Sequence, residues 1–389
     1  MSRINNLIKE LCPNGVEYVK LEELVDYIQP AKYIVKNTNY DIKYDVPVLT
    51  AGQTFILGYT NEKDGIYYAS ADNPVIIFDD FTTSNHWVDF NFKVKSSAMK
   101  ILISKTDNLF KYIYYCISNI DYVPKEHSRQ WIQVYSQFQI PLPPLKVQEE
   151  IVRILDKFGE LEAELEAELE ARKSQYEFWR GKVFNQDKET MVTLEIIGDV
   201  TKLAGFEFSK YVHYSDEGNV IALRGLNVKN GHLVLDDVKY VDNSDFSKLN
   251  RSKLYENDIL YTYVGTVGQV GLVDKNDKYY LAPNVARIRI FDKKVNPKYV
   301  KHFLLTAEFK INQLESLSGT SSMKNITMTN IRKFKIPVPS LQEQERIVNI
   351  LDKFDALVND ITEGIPAEIE LRRQQYEYYR NKLLSFEEL

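Results

Sequence analysis

Cysteine is almost missing from this chain. There are two in 389 residues, Cys12 and Cys116, far apart in sequence. A disulfide-built scaffold is excluded, and a reducing, cytoplasmic setting is expected. The five histidines (His86, His127, His213, His232, His302) show no metal-ligand spacing. No apolar run reaches the ~18 residues of a membrane span, so no membrane association is expected. The start, MSRINNLIKELCPNG, has no signal-peptide core. Catalytic signatures are also missing. There is no GxxxxGK[ST] phosphate loop and no Asn/Asp-Pro-Pro-aromatic motif of an amino-methyltransferase. Gly265, Gly268 and Gly271 stand between β-type residues, which suits a hairpin or bulge better than a nucleotide loop.

What the chain does have is one segment twice. FQIPLPPLKVQEEIVRILDKF at Phe138–Phe158 returns as FKIPVPSLQEQERIVNILDKF at Phe334–Phe354, an offset of 196 with 14 of 21 positions identical. ELEARKSQYEFWRGK, from Glu168, returns as EIELRRQQYEYYRNK, from Glu368, at an offset of 200. A long-period repeat fixes the organisation before any local reading. The expected fold is α+β: two β-rich heads and two long antiparallel helices, related by an internal pseudo-two-fold repeat. The boundaries are head 1 at 1–144, a central helix at 145–185, head 2 at 186–340 and a C-terminal helix at 341–389. A two-fold chain suits a target with two half-sites.

Net charge is −6 but uneven. Residues 1–145 carry −2, 146–190 carry −4, 191–340 carry +5 and 341–389 carry −5. The repeated helices carry most of the net negative charge. Whole-chain charge therefore does not exclude nucleic acid.

Each repeat opens on a proline-rich extended piece that cannot be helix interior. A helix should follow, starting in the second copy with capping-box spacing at Ser340-Leu-Gln-Glu343. Ile151, Ile154, Leu155, Phe158, Leu161 and Leu165, with their counterparts from Ile347 onward, recur at steps of three and four. Such stripes need a partner surface. About 35 residues of helix span roughly 50 Å. The two copies are expected to pair antiparallel, the bland alternative being two unrelated surface helices. The first helix contains a tandem tetrapeptide, Leu161-Glu-Ala-Glu164, Leu165-Glu-Ala-Glu168, Leu169-Glu-Ala-Arg172. It is either a solvated stretch or a length-setting spacer. In the second copy Gly364 and Pro366 should kink or interrupt the helix. The heads contain strand-like runs at Val75–Phe78, Ile259–Tyr263 and Ala286–Phe291. Short helical stretches, Leu109–Ile117 and Pro297–Leu304, precede each repeat. Apart from a weak likeness of Val19–Asp26 to Val192–Asp199, the heads hardly match.

The two IP[LV]P…ILDKF segments, each followed by a long helix ending in Gln-Tyr-Glu, resemble the conserved regions of type I restriction–modification specificity subunits. The resemblance covers the whole chain. It implies two target-recognition domains held apart by antiparallel helices, each head reading half of a split, asymmetric DNA sequence. It implies double-stranded DNA, two methyltransferase (M) subunits and restriction (R) subunits as partners. It also implies a non-catalytic chain with no cofactor of its own, S-adenosylmethionine, ATP and Mg being expected on the partners. The tetrapeptide run is similar to spacers that set the gap between half-sites. Half-sites on one DNA face lie about 34 Å apart, a distance that a rigid helical pair can set.

Base reading needs donor–acceptor side chains on loops. In head 1 the candidates are Gln53, Ser84, Asn85, Arg129 and Gln130; in head 2 they are Arg224, Asn227, Thr266, Lys324 and Asn325. Arg129 and Lys324 lead, because both lie shortly before the repeated segment. Tyr176, Trp179, Tyr376 and Tyr379 on the helices are expected to dock partner subunits, with Phe178 and Tyr378 in the same clusters. Two other readings stand beside this one. A helical scaffold with two protein-binding heads is favoured by the acidic first head. A stand-alone modification enzyme is disfavoured by the missing motifs.

Overall fold

The computed structural model describes residues 2–389 apart from 51–53, 126–127, 185–189, 204, 316–324 and 361. The chain divides into two compact units. Unit 1 is Met1–Glu164 with Ile369–Leu389, and unit 2 is Leu165–Glu368.

In unit 1, helix α1 (Ser2–Leu11) precedes strands β1 (Tyr18–Lys20), β2 (Val25–Ile28), β3 (Val75–Asp79), β4 (Asn85–Val88), β5 (Met99–Ser104) and β6 (Gln139–Pro141), with helix α2 (Phe110–Ser118) between β5 and β6. A four-stranded antiparallel sheet runs β2-β5-β3-β4. Every residue of β3 is buried because both faces of the sheet are covered. Alternation divides them: Ile76 and Phe78 join the cluster under α2, and Val75 and Ile77 join a second one with Leu49 and Phe92. The second cluster is closed by a three-stranded sheet in which Val46–Leu49 lies between Ile56–Thr60 (antiparallel) and Lys93–Val94 (parallel). β1 pairs with β6 (Tyr18 opposite Pro141), so the proline-rich piece is an extended ribbon leading into a helix.

Unit 2 repeats this sheet topology and adds a two-stranded ribbon, Val228–Lys229 with His232–Leu233. Its strands are β7 (Met191–Thr193), β8 (Gly198–Lys202), β9 (Ile259–Thr262), β10 (Val270–Leu272), β11 (Val285–Ile290) and β12 (Lys335–Pro337). The main sheet runs β8-β11-β9-β10, and β7 pairs with β12. A three-stranded sheet again has Ile221–Leu223 between an antiparallel and a parallel neighbour. The expectation that the heads hardly match thus holds for their residues and fails for their topology.

Helix α3 (Leu145–Phe184) is unbroken over 40 residues, about 60 Å. After α4 (Pro297–Leu304) in unit 2, the second arm is in two pieces, α5 (Leu341–Asn359) and α6 (Ile365–Leu383). The break sits where glycine and proline predict it. The Asp360 carboxylate accepts the Thr362 amide at 2.7 Å, and a Cβ on Gly364 would come within 2.5 Å of the Asp360 carbonyl oxygen. Ser340 caps α5 by accepting the Glu343 amide at 3.3 Å. Within unit 1, Phe158 of α3 stacks on Tyr379 of α6 (5.5 Å between centroids), and Glu162 pairs with Arg373 at 2.6 Å. Numbers rise on one helix and fall on the other, so this contact is antiparallel. Within unit 2, Tyr176 of α3 packs on Phe354 of α5 at 6.1 Å.

The short helix before each arm is fastened to it in the same way. Tyr115 and Lys111 of α2 meet Asp156. His302, Lys298 and Lys301 of α4 meet Asp352 at 2.7, 3.2 and 3.5 Å. Burial pushes the His302 imidazole down to about 4, and its hydrogen bond to His302 together with the lysines holds Asp352 well below the usual carboxylate range despite burial.

Candidate nucleic-acid interface

The turn joining β3 to β4 is shaped by its own first residue. The Asp79 carboxylate accepts the amides of Phe81 (2.7 Å) and Thr82 (3.1 Å), and Thr83 follows at φ +63°. Asp and Thr serve here because a short polar side chain can replace backbone partners in a turn. The next residue, Asp80, reaches elsewhere. Its carbonyl accepts the Gln130 amide at 2.8 Å, and its carboxylate accepts the Trp131 amide at 2.9 Å. The β3–β4 turn and the stretch before β6 are therefore bound to each other through adjacent aspartates.

Unit 2 places the corresponding pieces together. In the β9–β10 turn, Gly265 and Gly268 take φ +79° and +89°, as a hairpin requires. Thr262 replaces Asp79: its hydroxyl donates to the Thr266 carbonyl and accepts the Gln269 amide at 2.9 Å. The Tyr263 carbonyl accepts the Ile326 amide at 3.0 Å, and Val264 bridges to Asn325. Gln130 and Ile326 are 196 residues apart, the repeat offset. Each unit thus joins the same turn to the same pre-repeat stretch.

The sequence candidates divide on this geometry. Arg129, Thr266 and Asn325 are exposed, each on one of the joined loops. Ser84 and Asn85 are half-buried at the β3–β4 turn, and Asn85 also accepts the Ser118 hydroxyl at 2.5 Å. Arg224 is half-buried; its guanidinium donates to the Asp237 carboxylate at 2.7 Å and carbonyl at 2.8 Å. Arg224 and Thr266 line one cleft of about 450 Å³ with Tyr214, Leu226, Val264 and Asn284. The spacing in sequence gave no hint of that meeting.

Two candidates are corrected. Gln130 is buried, donating to the Ser128 carbonyl at 2.8 Å and accepting the Tyr122 hydroxyl at 2.8 Å. Asn227 is buried and binds the Arg224 amide and the Val234 and Asp237 carbonyls. Both spend their amides on shaping loops and have none to offer a base. Gln53 and Lys324 lie outside the described residues.

On the arms, Tyr176 is also corrected. It is 3% exposed, with its hydroxyl on Asp355 and Arg180 over its ring. Trp179, Tyr376 and Tyr379 are half-buried. The aromatic rings open to solvent are Phe178 and Tyr378, 62% and 59% exposed and 200 residues apart. Each has a lysine near its ring, Lys182 and Lys382. Among the described residues no group of His, Cys, Asp and Glu could hold a metal ion, and no helix is long and apolar enough to cross a membrane.

Comparison with known proteins gives a consistent result. The family model described as type I restriction modification DNA specificity domain matches residues 13–171 and again 190–371. The specificity subunit of the type I restriction enzyme EcoR124I/EcoR124II of Escherichia coli is 42% identical over 99% of this chain and 98% of its own length. A putative type I restriction enzyme specificity subunit of Haemophilus influenzae is 31% identical over 98% of both. Among solved structures, the fold is shared with the S subunit of a type I restriction–modification system from M. genitalium (TM-score 0.57, 13% identity, 96% and 97% covered). It is also shared with a chain from work on assembly and conformational transition of the type I system (TM-score 0.60, 14% identity, 96% and 98% covered).

Proposed function

The chain belongs to the type I restriction–modification DNA specificity family, and from that premise we propose that each of its units reads one half of a bipartite DNA target. The observation that carries this is the repeated loop pair. In unit 1 Asp80 joins the β3–β4 turn to Gln130 and Trp131, directly after Arg129; in unit 2 Tyr263 joins the β9–β10 turn to Ile326, and Val264 bridges to Asn325. Loops fixed to a rigid sheet are where base-reading side chains belong. Thr82, Ser84 and Arg129 would serve one half-site, and Arg224, Thr266 and Asn325 the other. Their differing residues make the target asymmetric.

In this reading the chain supplies recognition and no chemistry. S-adenosylmethionine, ATP and Mg belong to methyltransferase and restriction subunits that assemble around it. The exposed rings Phe178 and Tyr378, with half-buried Trp179 and Tyr379 behind them, are the docking anchors for two methyltransferase subunits. Selection of random-sequence duplexes on the complex with the cognate methyltransferase tests the reading. A split motif with an unread gap is expected. A single uninterrupted motif, or none, would contradict it.

A further inference from the structure

Lys100 and Asp80 form a buried charge pair in unit 1. Both are at most 1% exposed, and the ammonium lies 3.4 Å from Oδ2 of the carboxylate. Among the described residues neither of these two atoms makes a hydrogen bond, and the Tyr27 ring lies 4.8 Å from the ammonium. Removing two charges from water is costly, and a pair with so few hydrogen bonds recovers that cost poorly. Apolar residues of similar size often replace such a pair without loss of stability. The charge pair itself therefore calls for another explanation.

Its placement supplies one. Asp79 shapes the turn containing Thr82 and Ser84, while the Asp80 carboxylate holds the Trp131 amide, two positions after Arg129. Trp131 is itself buried edge-on against Phe78, 5.1 Å away. Unit 2 has no carboxylate at the corresponding point, since Tyr263 contributes only its carbonyl. The additional side-chain tie belongs to unit 1. We propose that Asp80, held in place by Lys100, is a positioning residue for base reading. It fixes the Arg129 loop against the β3–β4 turn without reaching DNA itself. The proposal rests on the reading of unit 1 as a half-site reader.

The test uses the full chain assembled with its cognate methyltransferase and a library of random-sequence duplexes. Asp80→Asn with Lys100→Met removes both charges but keeps an oxygen for the Trp131 amide. It should return the full wild-type motif. Asp80→Leu and Asp80→Ala, each with Lys100→Met, remove that oxygen. They should lose at least tenfold in discrimination at one half-site and keep the other while remaining folded, with a thermal midpoint lowered by loss of the Trp131 amide's partner. Undiminished discrimination by a folded apolar variant would overturn the proposal. So would failure of both apolar variants to fold, because the tie would then be structural. Arg129→Ala separates the two layers. If it relaxes the same half-site while the apolar variants do not, positioning by Asp80 alone is wrong. If neither Arg129→Ala nor the Asp80 variants alter either half-site, the reading of unit 1 is wrong.

Discussion

Gln344, in the first turn of α5, accepts the backbone amide of Asn296 at 2.8 Å and donates to the Pro339 carbonyl at 2.9 Å. Its counterpart Gln148 accepts the Leu109 amide at 3.1 Å and donates to the Pro143 carbonyl at 2.8 Å. Both glutamines are fully buried. One side chain in each unit thus joins the proline-rich strand, the arm and the loop leading to the short helix. Replacing either by alanine takes the partner from a half-buried backbone N–H, at a cost of up to about 1–3 kcal/mol. Each variant should lower the thermal midpoint in melting experiments, whereas Gln→Glu should be worse still at neutral pH. An unchanged midpoint for Gln344→Ala would mean that water replaces the lost bond.

The His302–Asp352 contact makes acid stability depend on unit 2. With its imidazole pushed down from 6.5 to about 4, folded His302 is neutral while the unfolded chain takes up a proton. Stability is complete above pH 6.5 and falls as pH drops toward 4, by roughly 3 kcal/mol at the lower end. The depressed Asp352 carboxyl pushes in the same direction. His302→Gln can still donate to Asp352 without titrating, so its stability between pH 6.5 and 4 should vary less. Identical pH profiles for the two proteins would remove His302 from the account.

Much of this was legible in the sequence. The repeat, the break at Gly364, the β-type runs and the glycine hairpin all depend on local propensity or on near-identity of residues. The shared topology of the heads was not legible, because a strand pattern survives replacement of almost every residue that forms it. A trace does remain: Lys111-Tyr-Ile113 and Lys298-Tyr-Val300 begin matching helices. Buried amides were the main error. Gln130, Asn227 and the Tyr176 hydroxyl look like contact groups in a sequence, and only the fold shows their donors already occupied. The meeting of Arg224 with Thr266 depends on two sheets coming together over a distance of about forty residues, beyond the reach of any periodicity.

For the docking anchors, Phe178→Ala with Tyr378→Ala should weaken assembly with the methyltransferase by tenfold or more while the chain stays folded. Both rings are exposed, so their loss costs little internal packing. Tyr176→Ala should instead destabilise unit 2. Binding of the methyltransferase measured by sedimentation or calorimetry would separate the two. Full-strength assembly of the double variant would place docking elsewhere.

The tetrapeptide run lies inside unbroken α3, with Leu161, Leu165 and Leu169 half-buried and most of the glutamates exposed. Deleting Leu165-Glu-Ala-Glu168 removes about 6 Å of helix while nearly keeping the stripe in phase. The half-site sequences should remain and the gap between them should shrink by one or two base pairs. A folded deletion variant with the original gap would show a solvated helix and no ruler.

If one unit governs one half-site, variants in the two units should relax different halves of the target. This is tested most directly by the motif methylated in cells whose complex carries Arg129→Ala, compared with Thr266→Ala and Asn325→Ala together. A base-reading residue should cost about 1–3 kcal/mol at one position of the site. Arg129→Ala should relax one half of the motif and the unit 2 pair should relax the other, each leaving the remaining half intact. Relaxation of the same half by both, or an unchanged motif in both, would contradict that division.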